Sequence, residues 1–166
     1  MSVRIGLKLA LASTALTIFA TAASAQAVMT TRQLSVDVAN GIAMATLEQC
    51  RKDGFHVSVA IVDRAGNVQV LLKDNGAGPH TPDTARRKAY TSASFGISSA
   101  EFAKRVSNPP AATLKDITEV IALAGALPIR AGKDLLGGIG VGGAPAGEKD
   151  EACANAGLQK FAAELK

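Results

Sequence analysis

The chain has 166 residues, of which 48% are hydrophobic and 4% aromatic, with no tryptophan and a formal net charge of +4. A chain of this length forms one ordinary domain and buries a core without the help of a metal. Its weak positive charge, without aromatic residues among the basic ones, argues against a nucleic-acid-binding protein. We therefore expect a single domain with an aliphatic core.

The first 25 residues have the pattern of an export signal. Arg4 and Lys8 precede an almost uncharged apolar run over 9–22, and residues 23–25 form the small-x-small cleavage site Ala-Ser-Ala. The run is shorter than the roughly 20 residues of a membrane span. We expect cleavage after Ala25 and a mature domain over 26–166 with a charge of +2 and no membrane span. The predicted location is periplasmic or extracellular.

The first part of the mature chain predicts a helix followed by a β-hairpin. Apolar residues recur with helical spacing over 34–53, and Gly54 ends the helix. Residues 56–63 alternate as a strand does, the connection Asp-Arg-Ala-Gly-Asn over 63–67 suits a hairpin, and 68–73 return. The hairpin indicates an antiparallel sheet.

Two helices are predicted in the middle of the chain, after a loop over 74–82 that is rich in glycine and proline. Thr81 is a suitable N-cap and Pro82 suits the first helical position, so a helix is expected to run to Phe95. A second, shorter helix is predicted over 99–106.

The last third predicts short strands and a closing helix. Residues 120–123 and a segment that begins at Ile129 have the composition of short strands. A further strand over 135–144 has glycine at nearly every second position, so that one face is bare backbone against which something packs closely. A closing helix is predicted over 148–165. Helices at both chain ends are expected to cover one face of the sheet.

The glycines of this strand match a dinucleotide-binding pattern, G-x-G-x-x-G over 138–143. A dinucleotide site needs that pattern after the first strand of a β-α-β unit, and here the chain soon ends in a helix. We therefore interpret the pattern as close packing against a helix or a neighbouring subunit. An anion site at residues 143–148, where a helix begins, remains the alternative.

A basic segment after the Gly/Pro loop is the candidate ligand site. Arg86, Arg87 and Lys88 stand beside small residues on the predicted helix, and neighbouring helical residues point about 100° apart. One of the three cations is therefore expected to face an anionic ligand, the alternative being a solvated basic face. Tyr90 and Thr91 follow them on the same helix. Tyr90 suits a cofactor contact or ordinary packing.

The chain has two histidines, and imidazole is a suitable ligand for a metal or for haem iron. His80 lies in the loop before the basic helix and is the candidate metal ligand, the alternative being an ordinary loop histidine. His56 begins a strand and is expected to be structural. No H-x-x-x-H or C-x-x-C spacing supports a zinc site, no G-x-S-x-G supports a serine nucleophile, and neither histidine has an obvious acidic orienter.

Cys50 and Cys153 are the only cysteines. In an oxidising compartment they can pair, and the alternative is two separate buried thiols. The sequence leaves both possibilities open.

Four ordered motifs together resemble the GlcG/HbpS-like family, a haem-binding or haem-degrading domain: VAIVDRAGN at 59–67, RKAYTSA at 87–93, GALPI at 125–129 and GGIGVGGA at 137–144. The resemblance covers nearly all of the mature chain. It implies an α+β profilin-like sandwich, with an antiparallel sheet of about five strands flanked by helices, and it implies homo-oligomers. It also implies that the terminal helices lie together, which favours a Cys50–Cys153 disulfide.

The resemblance further implies a secreted haem- or tetrapyrrole-binding protein. In that hypothesis His80 or Tyr90 contacts the iron, and one of Arg86, Arg87 and Lys88 pairs with a propionate. Iron ligands differ between family members, so the resemblance assigns none. Two alternatives remain, an enzyme that degrades haem or acts on a small organic acid such as glycolate, and an oligomeric interaction module without a ligand.

Overall fold

The computed structural model describes residues 29–166, so the predicted signal and its cleavage site lie outside the described residues. Every helix and strand of this described part belongs to one compact unit, Thr31–Lys166. In chain order they are α1 (Val36–Lys52), β1 (Ser58–Asp63), β2 (Val68–Lys73), α2 (Thr81–Phe95), α3 (Ser99–Arg105), a 3-10 helix (Ala111–Asp116), β3 (Ala126–Ala131), β4 (Asp134–Gly142) and α4 (Gly147–Lys160).

The strands form one antiparallel sheet in the order β2-β1-β4-β3. The predicted α+β class and antiparallel sheet are confirmed, and the absence of a β-α-β unit from the described residues agrees with our rejection of a dinucleotide fold. The sheet has four strands in this part of the chain, where about five were expected. The predicted strand over 120–123 is wrong, because that segment packs against α2 and makes no ladder.

Pro128 lies within β3, opposite Gly138 of β4. The sequence suggested that a strand begins only after this proline, because proline has no N–H to donate to a ladder. An edge strand tolerates proline when the missing N–H faces away from its neighbour. β3 is such an edge strand, because among residues 29–166 it pairs with β4 alone.

The two faces of the sheet are covered differently. α1 and α4 pack on one face around a large aliphatic core that includes Ile42, Ile61 and Ile139. α2 packs on the other face, where the buried residues are mostly alanines. The helix lies so close to β4 that a Cβ added at Gly140 would collide with the carbonyl oxygen of Ala85. The bare glycine face thus packs against a helix, one of the two partners that the sequence analysis proposed.

The start of α2 differs from the prediction. His80 occupies the N-cap position and its side chain makes no capping hydrogen bond. Thr81, the predicted cap, is the first residue of the helix, and its buried hydroxyl donates to the carbonyl of Gly78 (2.8 Å) and lies 2.8 Å from Ser58 Oγ. The threonine therefore ties the helix start to β1 instead of capping the helix.

The two terminal helices lie side by side on their face of the sheet. Cys50 of α1 and Cys153 of α4 form a disulfide, with 5.4 Å between their Cα atoms. Over 29–166, no helix combines the length and the apolar character that crossing a bilayer would need.

Candidate functional site

The first cation of the predicted basic segment, Arg86, is held by two carboxylates. Its Nη2 donates to Asp83 Oδ1 (2.8 Å), one helical turn earlier, and its Nη1 pairs with Glu119 from the loop that crosses over α2. Glu119 has a left-handed backbone (φ 73°), an uncommon conformation for a residue other than glycine. The side chain of Arg86 keeps 30% of its surface exposed.

Arg87 and Thr91, one turn apart on α2, hold the segment that was predicted to be a strand. Arg87 Nη2 donates to the carbonyl of Val120 (2.9 Å), and the N–H of Ile121 donates to Thr91 Oγ1 (2.9 Å). The Thr91 hydroxyl itself donates to the carbonyl of Arg87 (2.9 Å). These contacts explain why residues 120–123 add no strand to the sheet.

Lys88 points inward, towards α4. Its Nζ lies 2.8 Å from Asp150 Oδ2 and donates to the carbonyl of Val141 (2.9 Å), and its side chain is only 5% exposed. The other oxygen of Asp150 accepts the N–H of Ala144 (3.0 Å), and burial raises the pKa of this carboxyl above its usual value. Lys88 is therefore part of a structural ion pair and presents no charge to an external anion.

Tyr90 and His80 have different surroundings. Tyr90 is half-buried, and its ring packs over Gly66 in the hairpin turn and against the small core cluster around Phe102. His80 is exposed beside Gly78, and no side chain of the described structure hydrogen-bonds to its ring. The six predicted ligand residues thus share α2 and its N-cap, but they do not converge on one cavity. As ligand contacts they remain predictions.

A second polar cluster, which we call the Asp74 cluster, consists of Arg51, His56 and Asp74. Asp74 follows β2, and its side chain is only 3% exposed. Its Oδ1 accepts from Arg51 Nε (3.0 Å), from Arg51 Nη2 (2.6 Å) and from the N–H of Asn75 (2.8 Å), and its Oδ2 lies 3.2 Å from His56 Nδ1. Hydrogen bonding, from Arg51 first and then from His56 and Asn75, lowers the pKa of Asp74 to about 2.

His56 connects this buried carboxylate to the solvent. Its side chain is 64% exposed, and its Nε2 has no partner among the described residues. Our expectation that neither histidine has an acidic orienter is therefore wrong for His56. The hairpin register pairs Ser58 with Lys73, which places Asp74 next to the start of β1. That register was the sequence signal that could have revealed the contact.

Three open depressions lie elsewhere on the surface. They measure about 320, 400 and 500 Å³, and none is lined by a predicted ligand residue or by the Asp74 cluster. The largest lies between α3 and α4 and is lined in part by Glu151, whose pKa is raised by burial and by the nearby Glu148. Within residues 29–166, no three His, Cys, Asp or Glu side chains converge to hold a metal ion.

Comparison with known proteins identifies relatives of the whole domain. No curated protein matches the sequence significantly. Among solved structures, a double mutant of HbpS from Streptomyces reticuli is 44% identical, with a TM-score of 0.79 over 84% of this chain and 94% of that chain. Two more distant structures share the fold. ORFY of Klebsiella pneumoniae is 22% identical (TM-score 0.79, covering 84% of this chain and 97% of that one), and the PduOC:Heme complex is 23% identical (TM-score 0.71, covering 77% and 94%).

The family comparison agrees with these structural matches. The model of the family described as haem degrading protein HbpS-like matches residues 34–159, from just before α1 to the last turn of α4. That span includes both polar clusters and every strand of the sheet. The chain therefore belongs to the HbpS-like family of haem-degrading proteins.

Proposed function

We propose that this protein binds haem. The observation that carries the proposal is the 44% identity to HbpS over almost the whole domain, within a family described as haem-degrading. A protein with the same fold, PduOC, has been solved as a complex with haem, so the fold is compatible with that ligand.

The described surface offers the chemistry that haem requires. Haem presents an iron that takes an axial ligand and two anionic propionates. His56 and His80 both expose an imidazole, and Arg51 and Arg86 are partly exposed guanidinium groups able to bind carboxylates in a charge-assisted manner. Arg87 and Tyr90 remain proposed contacts of the porphyrin edge. Lys88 and Thr91 have no part in the proposal because both side chains are buried, Thr91 completely.

A titration of the ligand-free protein with haem tests the proposal. We expect the Soret band to shift from that of free haem and to saturate at a fixed stoichiometry. The same titration of urea-unfolded protein is the control, because a folded site should be required. A spectrum that stays that of free haem throughout would remove haem binding from the account.

We further propose that the protein is exported and acts in the periplasm or outside the cell as a homo-oligomer. The basic, apolar and Ala-Ser-Ala segments of residues 1–25 support export, and the Cys50–Cys153 disulfide is of a kind that persists in oxidising compartments. The intact mass of the protein recovered from the periplasm should correspond to a chain that starts at Gln26. Native mass spectrometry of the same sample reports the oligomer, and a monomer at all concentrations would contradict that part.

The description of the family favours a second candidate function, the degradation of haem. Ring opening oxidises the porphyrin, so it needs dioxygen or peroxide, and dioxygen also needs an electron donor. With these supplied, a degrading enzyme bleaches the Soret band faster than free haem is bleached, and it releases iron. Bleaching at the rate of free haem leaves binding as the function.

A further inference from the structure

We propose that His56 is the iron ligand of this protein and that the buried Asp74 is the positioning residue that aims its Nε2 outward. This inference rests on the proposed binding of haem. It assigns the iron to the Asp74 cluster, whereas the sequence pointed to His80.

The carboxylate of Asp74 is fixed by its hydrogen bonds. Asp74 is buried, yet it receives two hydrogen bonds from Arg51 and one from the N–H of Asn75. The backbone N–H of Asp74 also donates to the carbonyl of Val57 (2.9 Å), which ties the residue to the start of β1. Asp74 is thus held as an anion in one orientation, and Oδ2 is left for a single remaining partner.

The imidazole of His56 is oriented by this carboxylate. An ionised carboxylate can only accept hydrogen bonds, so the 3.2 Å contact with Oδ2 assigns the proton of neutral His56 to Nδ1. The lone pair then resides on Nε2, on a side chain that is 64% exposed. Histidines that ligate metals almost always donate the other ring N–H to a carboxylate, carbonyl or water, which fixes the ring and makes the ligating nitrogen more basic.

The two histidines differ in how their rings are held. The ring of His80 has no hydrogen-bond partner in the described structure, so nothing selects its tautomer or its orientation. His56 has both selected before any ligand arrives. A preorganised ligand loses less conformational freedom on binding.

The surroundings of His56 supply positive charge. Arg51 leaves 45% of its side chain exposed, and the Nζ of Lys149 lies 5.3 Å from the ring centroid of Phe55, the preceding residue. These two cations suit propionate groups. Gly76, with φ +84°, lies beside the imidazole, where an added Cβ would come within 3.6 Å of its Cγ.

Two exposed substitutions provide the decisive experiment on the full-length protein. We expect His56→Ala to change the Soret maximum of the bound haem and to weaken binding by about tenfold or more, in line with the loss of a ligating group. His80→Ala removes the rival imidazole, which this inference places outside the iron site, and should leave both unchanged. If His56→Ala keeps the wild-type spectrum and affinity, the inference is overturned while haem binding stands. If the wild-type protein binds no haem, both fail together.

A third variant tests the role of Asp74 without removing the ligand. Asp74→Asn replaces the anionic acceptor with a neutral one, so the axial nitrogen becomes a weaker donor. We expect the iron–nitrogen stretch of ferrous haem to move to lower frequency in resonance Raman spectra and the iron reduction potential to rise. An unchanged stretch and potential would contradict the positioning role. The His56 and His80 comparison remains decisive even if the buried Asp74 variant folds poorly.

Discussion

The two buried carboxylates of this domain, Asp150 and Asp74, are equally buried, but their partners differ in exposure to solvent. Each side chain is 3% exposed and each is paired with a cation. The partner of Asp150 is Lys88, 5% exposed, which also donates to the carbonyl of the buried Val141. Asp74 is bonded to Arg51 and His56, which are 45% and 64% exposed. The two carboxylates are therefore equally buried, and what separates the two pairs is the exposure of their partners.

The pKa values of the two groups shift in opposite directions because burial dominates at one carboxylate and hydrogen bonding at the other. Around Asp150 desolvation prevails over the attraction of Lys88, so its pKa is raised. Around Asp74 the hydrogen bonds prevail over desolvation, so its pKa falls to about 2. Four experiments separate the two environments.

Removal of Lys88 should have the largest effect. Lys88→Ala leaves the carboxylate of Asp150 buried without its cation, and breaking a buried ion pair in this way costs about 3–5 kcal/mol. Urea unfolding measures the loss. The matched control is Lys160→Ala at the exposed Lys160–Glu48 pair (3.7 Å), where we expect a loss of at most about 1 kcal/mol. Equal losses in the two variants would break the contrast between buried and exposed pairs.

Removal of the disulfide should affect both clusters, because Cys50 precedes Arg51 and Cys153 lies one turn after Asp150. The bond closes a loop with a sequence separation of 103, and loss of a native disulfide in a small domain costs about 2–5 kcal/mol. We expect the variant with both Cys50→Ala and Cys153→Ala to unfold at lower urea concentration. Reductant should bring the wild type down to the same midpoint and leave the variant unaffected. A wild type that is insensitive to reductant would argue that the bond is absent in solution.

A methyl group added to the glycine face of β4 should disturb the packing of α2, the helix that carries Lys88. Gly140→Ala places a Cβ against the backbone of Ala85 and forces α2 away from β4, and overpacking of this kind costs about 1–3 kcal/mol. Gly142→Ala is the matched control, because its Cβ would meet its nearest atoms at 3.4 Å, an ordinary contact. Thermal unfolding of both variants measures the difference. Equal melting temperatures would mean that α2 does not lie directly on the strand.

The pH dependence of stability should have opposite signs at the two carboxylates, and this is the smallest effect. The lowered pKa of Asp74 means that its contribution is complete above about pH 4, the ordinary Asp value, and is lost as the pH falls towards about 2. The raised pKa of Asp150 means that its contribution is complete below about pH 4 and is lost as the pH rises through the folded pKa.

Unfolding free energies of wild type, Asp74→Asn and Asp150→Asn, measured between about pH 2 and 7, give the pH dependence of stability that each carboxylate contributes. The difference between wild type and Asp74→Asn should shrink as the pH falls. The difference between wild type and Asp150→Asn should change in the opposite direction. Parallel curves for all three proteins would contradict both assignments.

Much of the fold could be predicted because the signals are local. Period-3.6 and period-2 patterns lie within one element, so α1, the hairpin and α2 were found with boundaries within a few residues. Residues 120–123 were assigned wrongly, because their apolar composition suits a strand and only the contacts of Arg87 and Thr91 from α2 decide otherwise. The assignment of Thr81 as a cap is also wrong. Its hydroxyl bonds to Ser58, 23 residues earlier, and no local pattern reveals that contact.

The sequence by itself determined the order of the four α-helices, the antiparallel hairpin, the glycine face of β4 and, through four motifs, the family. Each of these depends on residues that are close together in the chain. The tertiary structure alone decided which charged groups meet: Lys88 with Asp150, 62 residues apart, and Arg51 with Asp74, 23 apart. A charged side chain carries no local mark of its future partner, because pairing depends on which helices share a face of the sheet. For that reason the composition drew attention to the basic run on α2. Only the packing shows that the imidazole with a carboxylate partner is that of His56.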